Sequence, residues 1–347
     1  MTTIFLRAYS VYLFLLVVTI VLVLEFFTYL IVSRDDVTQE ELWNIRNYEN
    51  AFCGIPFNAD KPRKTGNECP TEGIITGIKH RPLHVNMWRF ANMLVARKKT
   101  GLKIYLPRCM RTVLSETFSN VNFPVLSDIG HCPFNVSLSV NSIFDWTDRK
   151  QSVVLDWSYL YTFHIIKNID EIRRHLQINR ALWNLAGFVL ENAKKSMSNV
   201  TYVGVYITKT TEIVKQEYDD FYPSVEFFVD AMDYYRRKYS NVSFIVITDK
   251  FNFWNRKLGT DVLVLDEKNL LSEGYILAIL TRCTHSILGF ADFAMWASLL
   301  GGGEAILSLS LTENYNSIIQ AVPNWKYLPK NTKSKVYNEN DGELGKI

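Results

Sequence analysis

Chemistry in this chain has to come from a short set of side chains. Lys209 stands just past a β-branched and aromatic run, 202–207, where a strand should end. His84 and Asn86 lead into a helical segment, His285 sits in an apolar stretch, and Asp292 and Phe293 open another helix. Each has a plain structural role as well: a solvated lysine, a helix cap for Asn86, a satisfied core histidine, an aspartate on the positive end of a helix dipole. No Asp-x-Asp pair occurs anywhere in the chain. A diphosphate handled here would therefore meet Arg or Lys side chains and helix N-termini, not a metal held between carboxylates. No Cys-x-x-Cys pair or His/Cys cluster has zinc spacing, and no Ser-His-Asp or Cys-His signature stands out.

The elements that must position these residues form two α/β units. In the second half, strands are expected at 202–207, 244–248, 261–265, 286–290 and 305–309. Helices at 224–239, near 252, at 272–280 and at 293–300 separate them, the first carrying Val225, Phe228, Val229 and Met232 on one stripe. Strict alternation with short links predicts a parallel, doubly wound sheet, whose ligands bind outside the carboxyl ends of the strands. The first half is less regular: helices at 86–97 and 111–118, strands at 103–106 and 152–155, and a long helical stretch at 170–194. Two such units face to face leave a cleft for a ligand.

With 38 basic and 35 acidic residues among 347, the chain carries no basic face that would mark a nucleic-acid binder. Its first 32 residues differ from the rest. Residues 11–32 are apolar but for Tyr12, Thr19, Glu25, Thr28 and Tyr29, and long enough for a ~30 Å hydrocarbon core. Alternatively 5–24 spans, leaving Glu25 at the interface. The run reads as a signal-anchor; the runner-up is a cleaved signal peptide, against which no Ala-x-Ala-like site follows. Sequons at Asn135, Asn199 and Asn241 fit a lumenal chain. So do Cys53, Cys69, Cys109 and Cys132, which suffice for two disulfides, a Cys53–Cys69 bridge pinning the stem, with Cys283 left over. The expected organisation is a cytosolic tail (1–10), a transmembrane signal-anchor (11–32), a stem (33–70), an N-terminal α/β domain on the acceptor side (71–195), a C-terminal nucleotide-binding domain (196–330) and a disordered tail (331–347).

The segment Cys283-Thr-His285-Ser-Ile287-Leu-Gly-Phe-Ala291-Asp292-Phe293-Ala294-Met-Trp296-Ala297-Ser-Leu-Leu300-Gly-Gly302-Gly303 resembles the C-terminal motif of the α-1,2-fucosyltransferases, glycosyltransferase family eleven. There the run is Cys-x-His-x-Ile, then Gly-Thr/Ser-Phe-Gly-x-Trp-x-Ala and a closing Leu-x-Gly-Gly. Upstream, residues 202–211 take the place of Val-Gly-Val-His-x-Arg-Arg-x-Asp. Segments 86–91, 101–107 and 123–126 parallel Gly-Asn-Gln…Tyr-Ala, Gly…Ile-Pro and Leu-Pro-Val-Leu. The resemblance covers roughly residues 80–330. It implies a GT-B-like fold of two Rossmann-like domains, a membrane-anchored Golgi type II protein, and inverting, metal-independent transfer from GDP-fucose to the 2-hydroxyl of a galactose-type glycan acceptor. GDP-fucose is then a co-substrate and no cofactor is needed. Donor contacts carried over by position are Asn86, Thr208, Lys209, His285, Asp292 and Phe293.

The departures from the family pattern fall where charge is handled. His-x-Arg-Arg-x-Asp has become Tyr206-x-Thr208-Lys209-x-Thr211, so a single cation survives. An arginine grips a diphosphate with two parallel bonds, whereas a lysine offers a mobile point charge. Losing such a charge-stabilising donor costs about a thousandfold in rate. Gly-Asn-Gln has become His84-Val85-Asn86, and Gly-Thr-Phe-Gly has become Ala291-Asp292-Phe293-Ala294, placing a carboxylate at a helix N-terminus. Cys283, Ile287, Phe293, Trp296, Ala297 and Leu300 remain, and these are packing residues. Two readings follow: a working fucosyltransferase with a rebuilt phosphate site, or an inactive member kept as a glycan-binding or complex-forming module.

Overall fold

The computed structural model describes residue 53 and residues 70–328, less 80–81, 130–133, 139–151, 156–161, 195–197, 208–222, 224, 256–257, 290–291, 309–321 and 323. The 11–32 run, the stem apart from Cys53 and Pro70, the 331–347 tail, Cys69, Cys132, Thr208 and Lys209 lie outside them. Among the described residues no helix is long and apolar enough to cross a membrane.

The N-terminal half runs β1 (Ile74–Gly77), α1 (Leu83–Thr100), β2 (Lys103–Ile104), α2 (Arg108–Thr117), β3 (Phe134–Leu138), β4 (Ser152–Leu155) and α3 (Thr162–Lys167). Its strands form one parallel sheet in the order β2-β1-β4-β3. Gly101 stops α1. It adopts φ 80°, which an L side chain resists, and its N–H donates to Arg97 O at 2.8 Å while Arg97, Lys98 and Lys99 sit in the last turn against the dipole's negative end. The long helix expected over 170–194 is two helices, α4 (Ile169–His175) and α5 (Arg180–Lys194). Between them Ile178 bridges to Phe118, which pulls the backbone out of the helix. Asn179 then restarts it, its Oδ1 accepting from Leu182 N–H at 2.9 Å.

The C-terminal half alternates β5 (Thr201–Ile207), α6 (Val225–Lys238), β6 (Val242–Thr248), α7 (Phe251–Trp254), β7 (Val262–Asp266), α8 (Glu273–Thr281), β8 (His285–Leu288), α9 (Asp292–Gly301), β9 (Ala305–Ser308) and β10 (Trp325–Leu328). Every pairing is parallel, in the order β10-β9-β8-β5-β6-β7. Chain direction across the sheet therefore reverses between β5 and β8, the switch point of a doubly wound fold. Both faces are covered, and the period of two sorts the side chains. Val203, Val205, Phe244, Val246, Ile287 and Ile306 pack with α6, while Ile245, Ile247, Leu288, Ala305 and Leu307 pack on the face of α8 and α9.

That second face continues into the N-terminal half. One apolar cluster includes Ile75, Phe90 and Leu94 together with Ile245, Leu277 and Trp296. At its centre α1 meets α9 through Trp88 and Trp296, ring centroids 4.4 Å apart. Along this line the two halves share a packed core. Ser243 Oγ of β6 donates to Ala193 O at 3.2 Å, so α5 packs on the C-terminal sheet. The bridge expected between Cys53 and Cys69 is made instead between Cys53 and Cys109, the second residue of α2. Spacing alone does not select among cysteine pairings. Cys283 is free and buried, as the odd cysteine was expected to be.

Candidate functional site

Ligands of an open α/β sheet bind outside the carboxyl ends at the switch point, here the ends of β5 and β8. Tyr206 is the next-to-last residue of β5, and its hydroxyl donates to Glu267 Oε1 at 2.9 Å, just past the end of β7. The Tyr206 ring lies 5.2 Å from that of Phe293 in the first turn of α9. Phe293 in turn meets His84, at the start of α1, edge-on at 6.2 Å. Position 82 before α1 is proline, which offers no side-chain cap. A carboxylate from the other half stands in: Glu273 Oε2, at the start of α8, accepts from Leu83 N–H at 2.7 Å.

Acid dominates this edge. Burial, then Glu267, Glu273 and Asp249, push the Tyr206 phenol far above its ordinary range. Glu267 is raised as well, by burial first and then by Asp249, Glu273 and Asp266, with the Tyr206 hydrogen bond opposing them. Carboxylates this close to one another keep each other's protons on. The described part of the edge thus offers a phenol, a protonation-prone carboxylate and aromatic faces, and it repels a diphosphate. Lys250, just past β6, and Lys268, next to Glu267, are the lysines described at this edge.

The other candidates fall in different places. Asn86 lies inside α1 and is fully buried, its Nδ2 donating to Pro82 O at 3.0 Å. It is not the helix cap, which Pro82 occupies. Asp292 is the first residue of α9. His285 opens β8 at the opposite edge, opposite Val203, three residues and roughly 10 Å along the sheet from Tyr206. There its Nδ1 accepts from Glu304 N–H at 3.1 Å, and its ring stacks on Tyr235 and Tyr239 at 5.4 and 5.0 Å. Burial lowers its pKa, so it is a neutral core histidine. Cys283 is equally inert: burial pushes its thiol up to about 12.

Asn135 lies in β3, Asn199 is exposed with φ 53°, and Asn241 Nδ2 donates to Ser198 O at 3.0 Å. The Tyr206–Glu267–Glu273 group was not singled out from sequence. Two signals pointed to it: tyrosine where the family has histidine, and a glutamate directly after a strand of alternating Val and Leu.

Residues 142–329 match the sequence profile described as Glycosyl transferase family 11. The chain is 23% identical over 261 residues to galactoside alpha-(1,2)-fucosyltransferase 2 of Bos taurus, covering 70% of this chain and 74% of that one. It is 23% identical over 285 residues to galactoside alpha-(1,2)-fucosyltransferase 1 of Rattus norvegicus, covering 76% and 71%. Among solved structures, the fucosyltransferase NodZ from Bradyrhizobium aligns with TM-score 0.44 at 14% identity, over 66% of this chain and 94% of that one. A glycosyl transferase of family 9 from Veillonella parvula aligns with TM-score 0.46 at 12% identity, over 81% and 92%.

Proposed function

Because the chain belongs to glycosyltransferase family 11, we propose that it transfers fucose from GDP-fucose to the 2-hydroxyl of a galactose-type acceptor, with inversion and without a metal. The observation that carries this reading is the strand order. A six-stranded parallel sheet reverses between β5 and β8 and presents Tyr206, Phe293 and the start of α9 at the carboxyl ends, the place such a sheet reserves for a nucleotide. The 2-hydroxyl is taken from the names of the relatives in cattle and rat. A lumenal site in the Golgi is supported by the apolar 11–32 run, the sequons and the Cys53–Cys109 disulfide, which belongs to an oxidising compartment.

A second reading has its own observation. The Tyr206–Glu267 bond ties up a phenol at the strand end where the family places His, which favours a chain that has given up donor chemistry and kept the scaffold. Calorimetric titration of the full chain with GDP and GDP-fucose, followed by turnover on lactose-type acceptors, separates the two. Saturable GDP-fucose binding with product formation establishes the transferase. A folded chain that binds neither nucleotide establishes the inactive module.

A further inference from the structure

A cavity of about 420 Å³ opens where the two halves meet, at the amino edge of the C-terminal sheet. Its size is that of a small-ligand site. Its position separates it from the switch point: α8 runs from Glu273, beside the carboxyl edge, to Thr281 in the cavity wall, roughly 12 Å along its axis. Ser119, Arg173, Gln177, Arg180, Trp183 and Thr281 line it, with apolar Leu176, Ile178 and Leu300 between them, and no carboxylate does.

Three features of that lining point to a ligand. Thr281 is only 9% exposed and its Oγ1 has no hydrogen-bond partner, an expense a fold seldom leaves standing in a cavity wall without something to meet it. Arg173 is held in place, its Nε donating to Leu299 O at 2.8 Å and Nη1 to Asp170 at 3.3 Å, while none of the described ion pairs includes Arg180. Trp183 remains 38% exposed although it is among the largest apolar side chains, with the Arg282 guanidinium 4.6 Å over its ring and bonded to its carbonyl at 2.9 Å. An indole wall suits the C–H face of a pyranose, and a guanidinium fork suits a planar or tetrahedral anion.

We infer that this cavity is a second saccharide site, separate from the nucleotide edge, that takes a sugar bearing an anionic group. The two arginines hold the anion, Trp183 carries the ring, and the Thr281 hydroxyl bonds a sugar oxygen. Contacts from Ser119, α4 and α5 and from α8 and α9 close on the same ligand, so its binding ties the halves together.

The test is binding of the full chain to lactose, 6-sulfo-lactose and 3′-sialyllactose, read by calorimetry at two salt concentrations. The expected result is saturable binding of a charged sugar, the sulfated and sialylated arms deciding which anion fits, with lactose at least about tenfold weaker and affinity falling as salt rises. R180A should lose about tenfold for the charged sugar and leave lactose unchanged. T281V removes an unpartnered hydroxyl, so it should bind a few-fold more weakly while its thermal unfolding is unchanged or raised. Saturating GDP should not displace the sugar. Absence of binding by folded protein, equal affinity for lactose, an unaffected R180A or displacement by GDP each overturns the inference. None of these outcomes depends on whether the chain transfers fucose.

Discussion

The two edges of the C-terminal sheet are built from the same strands and have opposite electrostatics. At the amino edge, Glu304 is 8% exposed in its side chain and accepts from Lys238, from Lys326 at 2.9 Å and from Tyr234 at 2.5 Å. Burial alone would raise its carboxyl; the bonds from Lys238, Tyr234 and Lys326 outweigh it and hold the pKa below the ordinary value. At the carboxyl edge, Glu267 has a phenol for a partner and other carboxylates for neighbours, and its pKa is raised. Family-like Cys283 and Gly303 lie at the first edge, while the retained Phe293 stands at the second. Gly204 lets Cys283 pack against β5, where an added Cβ would sit 3.2 Å from its sulfur, and Gly303 runs beside the Thr284 carbonyl. Thus the motif that identifies the lineage is a packing motif, and the edge where charge chemistry belongs has diverged. A packing motif can persist while the chemistry proposed for the other edge changes, because scaffold and site are different residues.

The strongest way to test this contrast is to strike the packed edge. Gly303 holds φ 81°, and a Cβ there would lie 1.9 Å from Thr284 O. Gly303→Ala should cost on the order of 4 kcal/mol or prevent folding, read by urea unfolding or by yield of soluble chain. A variant of wild-type stability would show that this turn is not fixed by the approach. Next comes Glu304→Ala, which strands two lysines and a phenol around a buried vacancy. It should cost about 3 kcal/mol at pH 7, since the lysines are partly exposed and can rehydrate. The pH dependence follows from the lowered carboxyl. Its contribution is complete above the ordinary value of 4.5 and is lost as pH falls through the depressed folded value, so wild type and variant should converge in acid.

Much of the architecture could be read from residue pattern, because long parallel strands buried on two faces are nearly continuous apolar runs. Residues 202–207 and 244–248 fall inside β5 and β6, and Ser272 caps α8 as expected, its Oγ accepting from Tyr275 N–H. The short strands β1, β3 and β10 escaped, since four or five residues are too short a window for periodicity to separate a strand from a turn of helix. The break at Ile178 escaped because it depends on a partner, Phe118, sixty residues away. For the site, the position was legible and the chemistry was not. His285 and Asn86 were carried over by position; the structural roles also open to them, a core histidine and a buried amide, are the ones their stacked tyrosines and the interior of α1 provide.

The carboxyl edge should respond to substitution without loss of fold. Restoring the family residues together, Tyr206→His, Thr208→Arg, Lys209→Arg and Thr211→Asp, replaces a phenol and one ammonium with a histidine and two guanidinium forks. GDP affinity should rise roughly tenfold or more by calorimetry, each new charge-assisted bond being worth about 1.5–3 kcal/mol before ordering costs, with the unfolding midpoint nearly unchanged. An unchanged affinity would mean that the acidic neighbours Glu267 and Glu273 govern the edge, and that basic residues added beside them are neutralised. A lost fold would mean that this edge, too, carries packing.

Glu267→Gln gives the smallest effect and the sharpest sign. A carboxyl whose folded pKa is raised binds its proton more tightly in the native state than in the unfolded chain. Ionising it therefore destabilises the fold, and the penalty is present above the raised value and absent well below the ordinary 4.5. The amide keeps an acceptor for the Tyr206 hydroxyl and removes the charge. Because Glu267 is only partly shielded from solvent, the gain should stay below about 1 kcal/mol at pH 7, an upward shift of one or two degrees in the melting temperature, and should vanish at pH 4. Glu304→Gln should do the reverse in the range below 4.5, losing stability at pH 7 and progressively less as pH falls through the depressed value. Opposite slopes from two glutamates on one sheet are what the electrostatic contrast between the edges demands. Parallel slopes would mean that nearby cations hold Glu267 as an ion, and that the carboxyl edge is basic after all.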